Sequence, residues 1–274
     1  MRIVNLVENT HGREYCIPAH GLCLYVETGD CRLLMDTGPS ALLLKNARVL
    51  GVDLERVDKV ILSHGHYDHA GGILPFAALN PAAPIYLRRG AEGDFWSGSG
   101  ETLHFIGMDP KIVALPQLVW QDQDAWIGKD LFLFGGIAGR KFWPSGNSKL
   151  FRKTDGHYVQ DDFSHEQCLV VRENGKSVLL SGCAHSGILN ILERCRLAYG
   201  EAPDAVISGF HMMKKSGEYM PEEIEVIRAT ARELLSWPCT FYTCHCTGLP
   251  AFALMKKIMG DRLRYLACGE ILTI

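Results

Sequence analysis

No run of apolar residues in this chain is long enough to cross a bilayer. Residues 1–7 read as a strand, too short for the apolar region of a secretion signal. A basic excess is missing too. The formal charge is −3, so no nucleic-acid backbone is expected as a partner, and no membrane either. Ten cysteines are present, but none forms a CxxC pair; Cys244 and Cys246 flank a histidine instead. A cysteine-rich zinc finger is therefore not expected. Without a secretion signal, the scattered thiols read as reduced, mostly small core residues of a cytoplasmic protein. Neither a linker nor an internal repeat is visible. What the chain does have is bulk: 274 residues, 47% of them hydrophobic, support a full core.

The most informative stretch is Ser63-His64-Gly65-His66-Tyr67-Asp68-His69-Ala70-Gly71-Gly72. It follows Val57–Leu62, an apolar run that reads as a buried strand, and a glycine pair closes the turn. Imidazole and carboxylate are the usual ligands of divalent transition metals. His64 and His66 stand two residues apart, so an extended or tight-turn backbone aims both at one ion. Asp68 and His69 follow within reach of a second.

The rest of the chain is a β-rich start followed by strand–helix alternation. Strands are expected at Ile3–Val7, Leu22–Glu27, Arg32–Asp36, Ile85–Leu87 and Leu131–Phe134, with a helix running from Ser40 to about Leu50. Residues 90–165 have weak periodicity and frequent Gly, Trp and Phe. They read as a loop-rich insertion on the substrate side of a single domain spanning 1–274, with Trp96 and Trp143 as candidate pocket walls. Strands then recur at Cys168–Val171, Ser177–Leu180, Ala205–Ile207, Phe241–Thr243, Tyr265–Cys268 and Ile271–Ile274. Helical stripes begin at Ile188, Pro221 and Leu249. His185 and His245 each end an apolar strand and precede a glycine and a helix, as the His64–His69 run does. Strand ends of this kind gather on one sheet edge, where ligands bind. Ser186 and Thr247 read equally as helix caps or as substrate contacts.

The HxHxDH run, Asp36 in Leu33-Leu34-Met35-Asp36-Thr37-Gly38, and the motifs around His185, His211 and His245 resemble the metallo-β-lactamase superfamily. The resemblance runs nearly end to end. It is nearest to a branch whose members are named 7,8-dihydropterin-6-yl-methyl-4-(ribofuranosyl)aminobenzene 5′-phosphate synthase, or metal-dependent hydrolase. The resemblance implies a four-layer αββα sandwich. It implies His64, His66 and His185 on one metal, and Asp68, His69 and His245 on another. Asp36 would brace the histidine loop. His211 would line the pocket and contact substrate, and Asp68 could serve as general base when one site is filled. His11, His20, His104, His157 and His165 are expected to be non-ligands. Where many superfamily hydrolases have a bridging aspartate, this chain has Ser181-Gly182-Cys183, so unequal metal sites are expected.

The activity so implied is hydrolysis of a small anionic, phosphate-containing substrate by metal-bound hydroxide, at one or two divalent ions. Zinc is the favoured ion, with iron and manganese suited to the same ligands. Two other readings stay open: a pterin-condensing synthase, and a metal- or pterin-binding sensor with little turnover. The oligomeric state is not encoded in any of these patterns.

Overall fold

The computed structural model describes residues 1–99, 102–214 and 216–274. The chain opens with β1 (Arg2–Val7), β2 (Cys23–Glu27), β3 (Arg32–Met35), helix α1 (Leu42–Val49) and β4 (Lys59–Ile61). The short helices α2 (Tyr67–Ala70) and α3 (Ile73–Leu79) lead into β5 (Ile85–Arg88). Next come β6 (Phe95–Ser97), β7 (His104–Phe105), β8 (Leu118–Gln121), β9 (Ala125–Trp126), β10 (Leu131–Gly135), β11 (Leu150–Thr154) and β12 (His157–Gln160). The remainder runs β13 (Gln167–Glu173), β14 (Lys176–Leu180), α4 (Ile188–Tyr199), β15 (Ala205–Ser208), α5 (Pro221–Leu234) and β16 (Thr240–Thr243). After these come α6 (Leu249–Met259), β17 (Leu263–Tyr265) and β18 (Ile271–Thr273). Among the described residues no helix is long and apolar enough to cross a membrane.

Two compact units divide the chain. The first comprises 1–123, 150–161 and 266–274; the second comprises 124–149 and 162–265. The first unit holds a seven-stranded sheet of order β18-β1-β2-β3-β4-β5-β8 and a small sheet of order β12-β11-β6-β7. Val4, Leu6, Tyr25, Leu34, Val60, Ile85 and Leu87 form its core with Leu43 and Ala47 of α1 and Phe76 of α3. Residues of the opposite parity, such as Ile3, Leu24, Leu33 and Ile61, are buried as well. Both faces of these strands are therefore covered, which explains their near-continuous hydrophobic runs. Each such aliphatic side chain contributes about 1.5–3 kcal/mol on burial. Buried Asn46 ties α1 down: its Nδ2 donates to Leu6 O at 2.7 Å and to Ile17 O at 2.9 Å.

The second unit holds a seven-stranded sheet of order β17-β16-β15-β14-β13-β10-β9. Strands β14 to β17 run parallel to one another, with Leu180 beside Ile207 and Ile207 beside Tyr242. The helical stripes expected at Ile188, Pro221 and Leu249 are α4, α5 and α6, and each packs an apolar face into this unit's core.

Two sequence expectations change. Residues 90–165 are not only loops: β6 to β12 lie there and reach all three sheets. They run two to five residues each, and apart from the expected Leu131–Phe134 strand, now β10, they are too brief for a period to show. The expected strand Tyr265–Cys268 is displaced to Leu263–Tyr265. Leu266 O instead accepts from Asn5 Nδ2 at 2.8 Å, and Cys268 N donates to Thr10 O at 3.0 Å. Those backbone groups thus serve the β1 side of the first unit.

Candidate metal centre

In the first unit β3 and β4 are parallel neighbours, so their C-terminal ends deliver Asp36 and Ser63-His64 to one edge. Asp36 adopts φ 62°, a left-handed conformation that aspartate tolerates better than most residues. Its buried carboxylate accepts from Ser63 N at 2.7 Å and from Ser63 Oγ at 2.7 Å, and Oδ2 lies 2.6 Å from His69 Nδ1. Ser63 Oγ lies 2.8 Å from His64 Nδ1. A carboxylate only accepts, and a hydroxyl has one proton. Ser63 therefore donates to Asp36 and accepts from His64 Nδ1–H, while His69 Nδ1–H donates to Asp36. The network places the proton on Nδ1 in both rings, and Nε2 of each carries the lone pair.

The three imidazoles are bunched. His64 is 4.5 Å from His66 and 4.2 Å from His69, centroid to centroid. His69 Nε2 lies 3.7 Å from Asp68 Oδ2. All four side chains are buried. Gly65 permits the tight path, since a Cβ there would meet Ala91 O at 1.9 Å. The 90–165 segment frames the loop: Phe95 packs on the His66 ring at 5.5 Å, and Tyr67 N donates to Ile106 O at 2.9 Å. Trp96, next along β6, faces the other side of that strand and packs on Phe105 and Tyr158. Sequence reasoning set His20 aside, yet its Nε2 lies 3.3 Å from Asp68 Oδ2.

In the second unit β14, β15 and β16 are successive parallel neighbours. Their C-terminal ends carry Cys183 and His185, then His211, then His245 and Cys246. Ala184, His211 and His245 all adopt positive φ, of 55°, 47° and 45°. Such turns are energetically costly and collect at functional sites. His185 is held on three sides. Asn147 Oδ1 lies 3.0 Å from its Nδ1, Asn147 Nδ2 donates to its carbonyl at 2.8 Å, and Phe163 stacks on its ring at 4.4 Å. Trp143 contacts Phe163 edge-on, one ring removed from His185. Glu166, itself buried, accepts from His185 N at 2.7 Å and Ser186 N at 2.9 Å. Burial pushes its carboxyl above the ordinary value, partly offset by these hydrogen bonds.

His211 sits beside His185, ring centroids 4.1 Å apart. The Cys183 thiol lies within 4.8 Å of ring nitrogens of His185, His245 and His211, and of the Cys246 thiol. Burial opposes charge on Cys246, but hydrogen bonding with Cys183 and His211 and the charges of His245 and His211 outweigh it. The thiol is held well below its ordinary value. The N-caps of α4 and α6 are Gly187 and Gly248, not Ser186 and Thr247. Thr247 Oγ1 accepts from Phe210 N at 2.8 Å and so fastens the His211 loop. The residues that sequence reasoning missed are Ser63, Asn147, Phe163, Glu166 and Cys246, along with the thiol of Cys183 as a donor. Only Cys183 carried a signal, as a thiol where a carboxylate was expected.

Imidazoles oriented through Nδ1 with Nε2 turned inward, beside a carboxylate, are the donor set of a transition-metal site. Two sheets of mixed direction, each with helices in its core, and a histidine-rich strand edge define the class. Residues 17–204 match the family described as Metallo-beta-lactamase superfamily, and the chain belongs to it and has its αββα fold. The solved structure of Tm1679, described as a metal-dependent hydrolase of the beta-lactamase superfamily, shares 32% identity over 100% of this chain and 99% of that one, with a TM-score of 0.80. An uncharacterized protein of Methanocaldococcus jannaschii is 26% identical over 98% of both chains. The same organism's 7,8-dihydropterin-6-methyl-4-(beta-D-ribofuranosyl)-aminobenzene-5'-phosphate synthase is 24% identical over 92% of this chain and 89% of its own.

Proposed function

We propose that the protein is a metal-dependent hydrolase of a small anionic, phosphate-containing substrate. The observation that carries this reading is the buried His64, His66, Asp68 and His69 cluster, with His64 and His69 held through Nδ1 by Ser63 and Asp36. A solved relative described as a metal-dependent hydrolase supports it. The proposed ligands are His64, His66, Asp68 and His69 from the first unit and His185 and His245 from the second. Zinc is the favoured ion; iron or manganese suits the same donors. A divalent ion held there supplies Lewis acidity and a water of lowered pKa.

The chain's own residues do the rest. Asp36 and Ser63 fix two imidazoles before substrate arrives, so no ordering cost falls on the reaction. When only one metal site is filled, Asp68, with His20 at 3.3 Å, accepts the proton of the attacking water. His211, positioned by its own backbone turn, hydrogen-bonds a polar substrate group.

Elemental analysis tests the ligand set. The His64→Ala and His66→Ala proteins should lose most bound metal, and the exposed His157→Ala control should keep it. Full retention by His66→Ala sinks the assignment. A panel of phosphomonoesters and phosphodiesters tests the reaction. The relative named as a synthase favours a second reading, condensation of a pterin with a ribofuranosylaminobenzene phosphate. Product formation from those two components, with no turnover across the ester panel, would replace the hydrolase reading.

A further inference from the structure

The second unit contains a donor set that the ligand assignment above leaves out. Cys183 Sγ, Cys246 Sγ and a ring nitrogen of His211 all lie within 4.8 Å of one another. Both thiols are buried, at 3% and 4% exposure. We propose that Cys183, His211 and Cys246 form a binding site for a thiophilic cation such as zinc, cadmium or copper(I), one that does not depend on His64 or His66.

The sheet builds the triad. Each residue lies just beyond the end of one of three adjacent parallel strands, in the register Leu180, Ile207, Tyr242. The His211 turn, at φ 47°, sets the direction of its ring, and its Nδ1 is buried. His211 N donates to Cys246 Sγ at 3.3 Å, and Cys246 Sγ donates to Cys183 O at 3.3 Å, so the sulfur has a fixed place. Gly209 leaves the room: a Cβ there would meet Cys246 Sγ at 2.4 Å.

The chemistry selects the ligand. Two sulfurs and one imidazole are soft donors and favour closed-shell thiophilic ions over magnesium or calcium. Zinc–sulfur and zinc–nitrogen bonds of about 2.3 and 2.0–2.1 Å separate ligand atoms by roughly 3.5 Å. The triad needs to contract by no more than about 1.3 Å to reach that spacing. Three protein ligands leave a position open, which suits exchange or a small thiophilic ligand.

The test uses the full chain, stripped of metal under reductant and titrated with cobalt(II) and then cadmium(II). The wild type should develop a thiolate-to-cobalt charge-transfer band. The His64→Ala/His66→Ala protein should keep it. Cys246→Ala should lose roughly half of it, one thiolate of two, and His211→Ala should weaken cobalt binding about tenfold or more. Cadmium NMR of the unaltered chain covers the case in which Cys246→Ala fails to fold. A resonance in the two-thiolate range supports the site. No wild-type band, an undiminished band in folded Cys246→Ala, a band lost with His64 and His66, or a cadmium shift showing one thiolate or none would each overturn it.

Discussion

Asp36 Oδ2 lies 2.6 Å from Nδ1 of His69, and both side chains are fully buried. One carboxylate serves three donors: Ser63 N, Ser63 Oγ and His69. Removing it strands all three away from water. Asp36→Ala should therefore cost about 3–5 kcal/mol, measured by chemical denaturation. Asp36→Asn is the sharper probe, because asparagine also tolerates the φ of 62°. It keeps the turn and replaces one acceptor by an amide that cannot accept. Metal affinity should fall about 10–100-fold while the fold persists. Unchanged affinity in a metal-competition titration would show that Asp36 only shapes the turn.

Asn147 does for His185 what Asp36 does for His69, by another route. It contacts the ring at Nδ1 and the carbonyl of the same residue. Asn147→Ala frees the ring to rotate against Phe163. Metal content at limiting metal should drop, with affinity about tenfold or more weaker. The His157→Ala protein, altered on an exposed strand, should match the wild type. Equal metal content in the two variants would show that Asn147 does not hold the His185 ring for metal.

The histidine loop was legible because its four ligand candidates stand within six positions, and local spacing encodes local geometry. Helices α4 to α6 were legible because a 3.6-residue stripe is a property of one segment. What the sequence hid is long-range. Glu166 binds backbone 19 and 20 residues away, and Asn147 binds His185 across 38. Cys246 reaches Cys183 across 63 positions, through parallel strands whose order no local period specifies. His20 is similar: it meets Asp68 only because Gly21 and Leu22 pack against the Asp68 carbonyl. In the 90–165 segment β10 was expected, as Leu131–Phe134; the other strands were missed because two to five residues carry too few alternations to count.

Glu223 gives the acid limb of stability a named contributor. It caps α5, accepting from Met220 N at 2.9 Å, and also binds Lys214 and Ser145. The Lys214 hydrogen bond, aided by those from Met220 and Ser145, lowers its pKa. A depressed carboxyl contributes stability that is fully present above its unfolded value, about 4.3, and is lost as pH falls through the lower folded value. Glu223→Gln should thus be about 0.3–1 kcal/mol less stable at neutral pH. Its stability should also decline less steeply below that unfolded value. Parallel stability–pH curves for the two proteins would refute this.

Gly209 and Cys246 offer a test of packing that needs no metal. A methyl at residue 209 would meet Cys246 Sγ at 2.4 Å and Gly182 O at 3.2 Å. The sulfur cannot swing away cheaply, because His211 N and Cys183 O both hold it. Gly209→Ala should therefore cost about 1–3 kcal/mol in chelator-treated protein. Cys246→Ala removes the sulfur and vacates that space. The double variant should lose less than the sum of the two single losses, by about 0.5–3 kcal/mol in a double-mutant cycle. The coupling is steric, so it should survive both reductant and chelator. Strict additivity would mean that the Gly182 carbonyl, not the Cys246 thiol, is what excludes a side chain from residue 209.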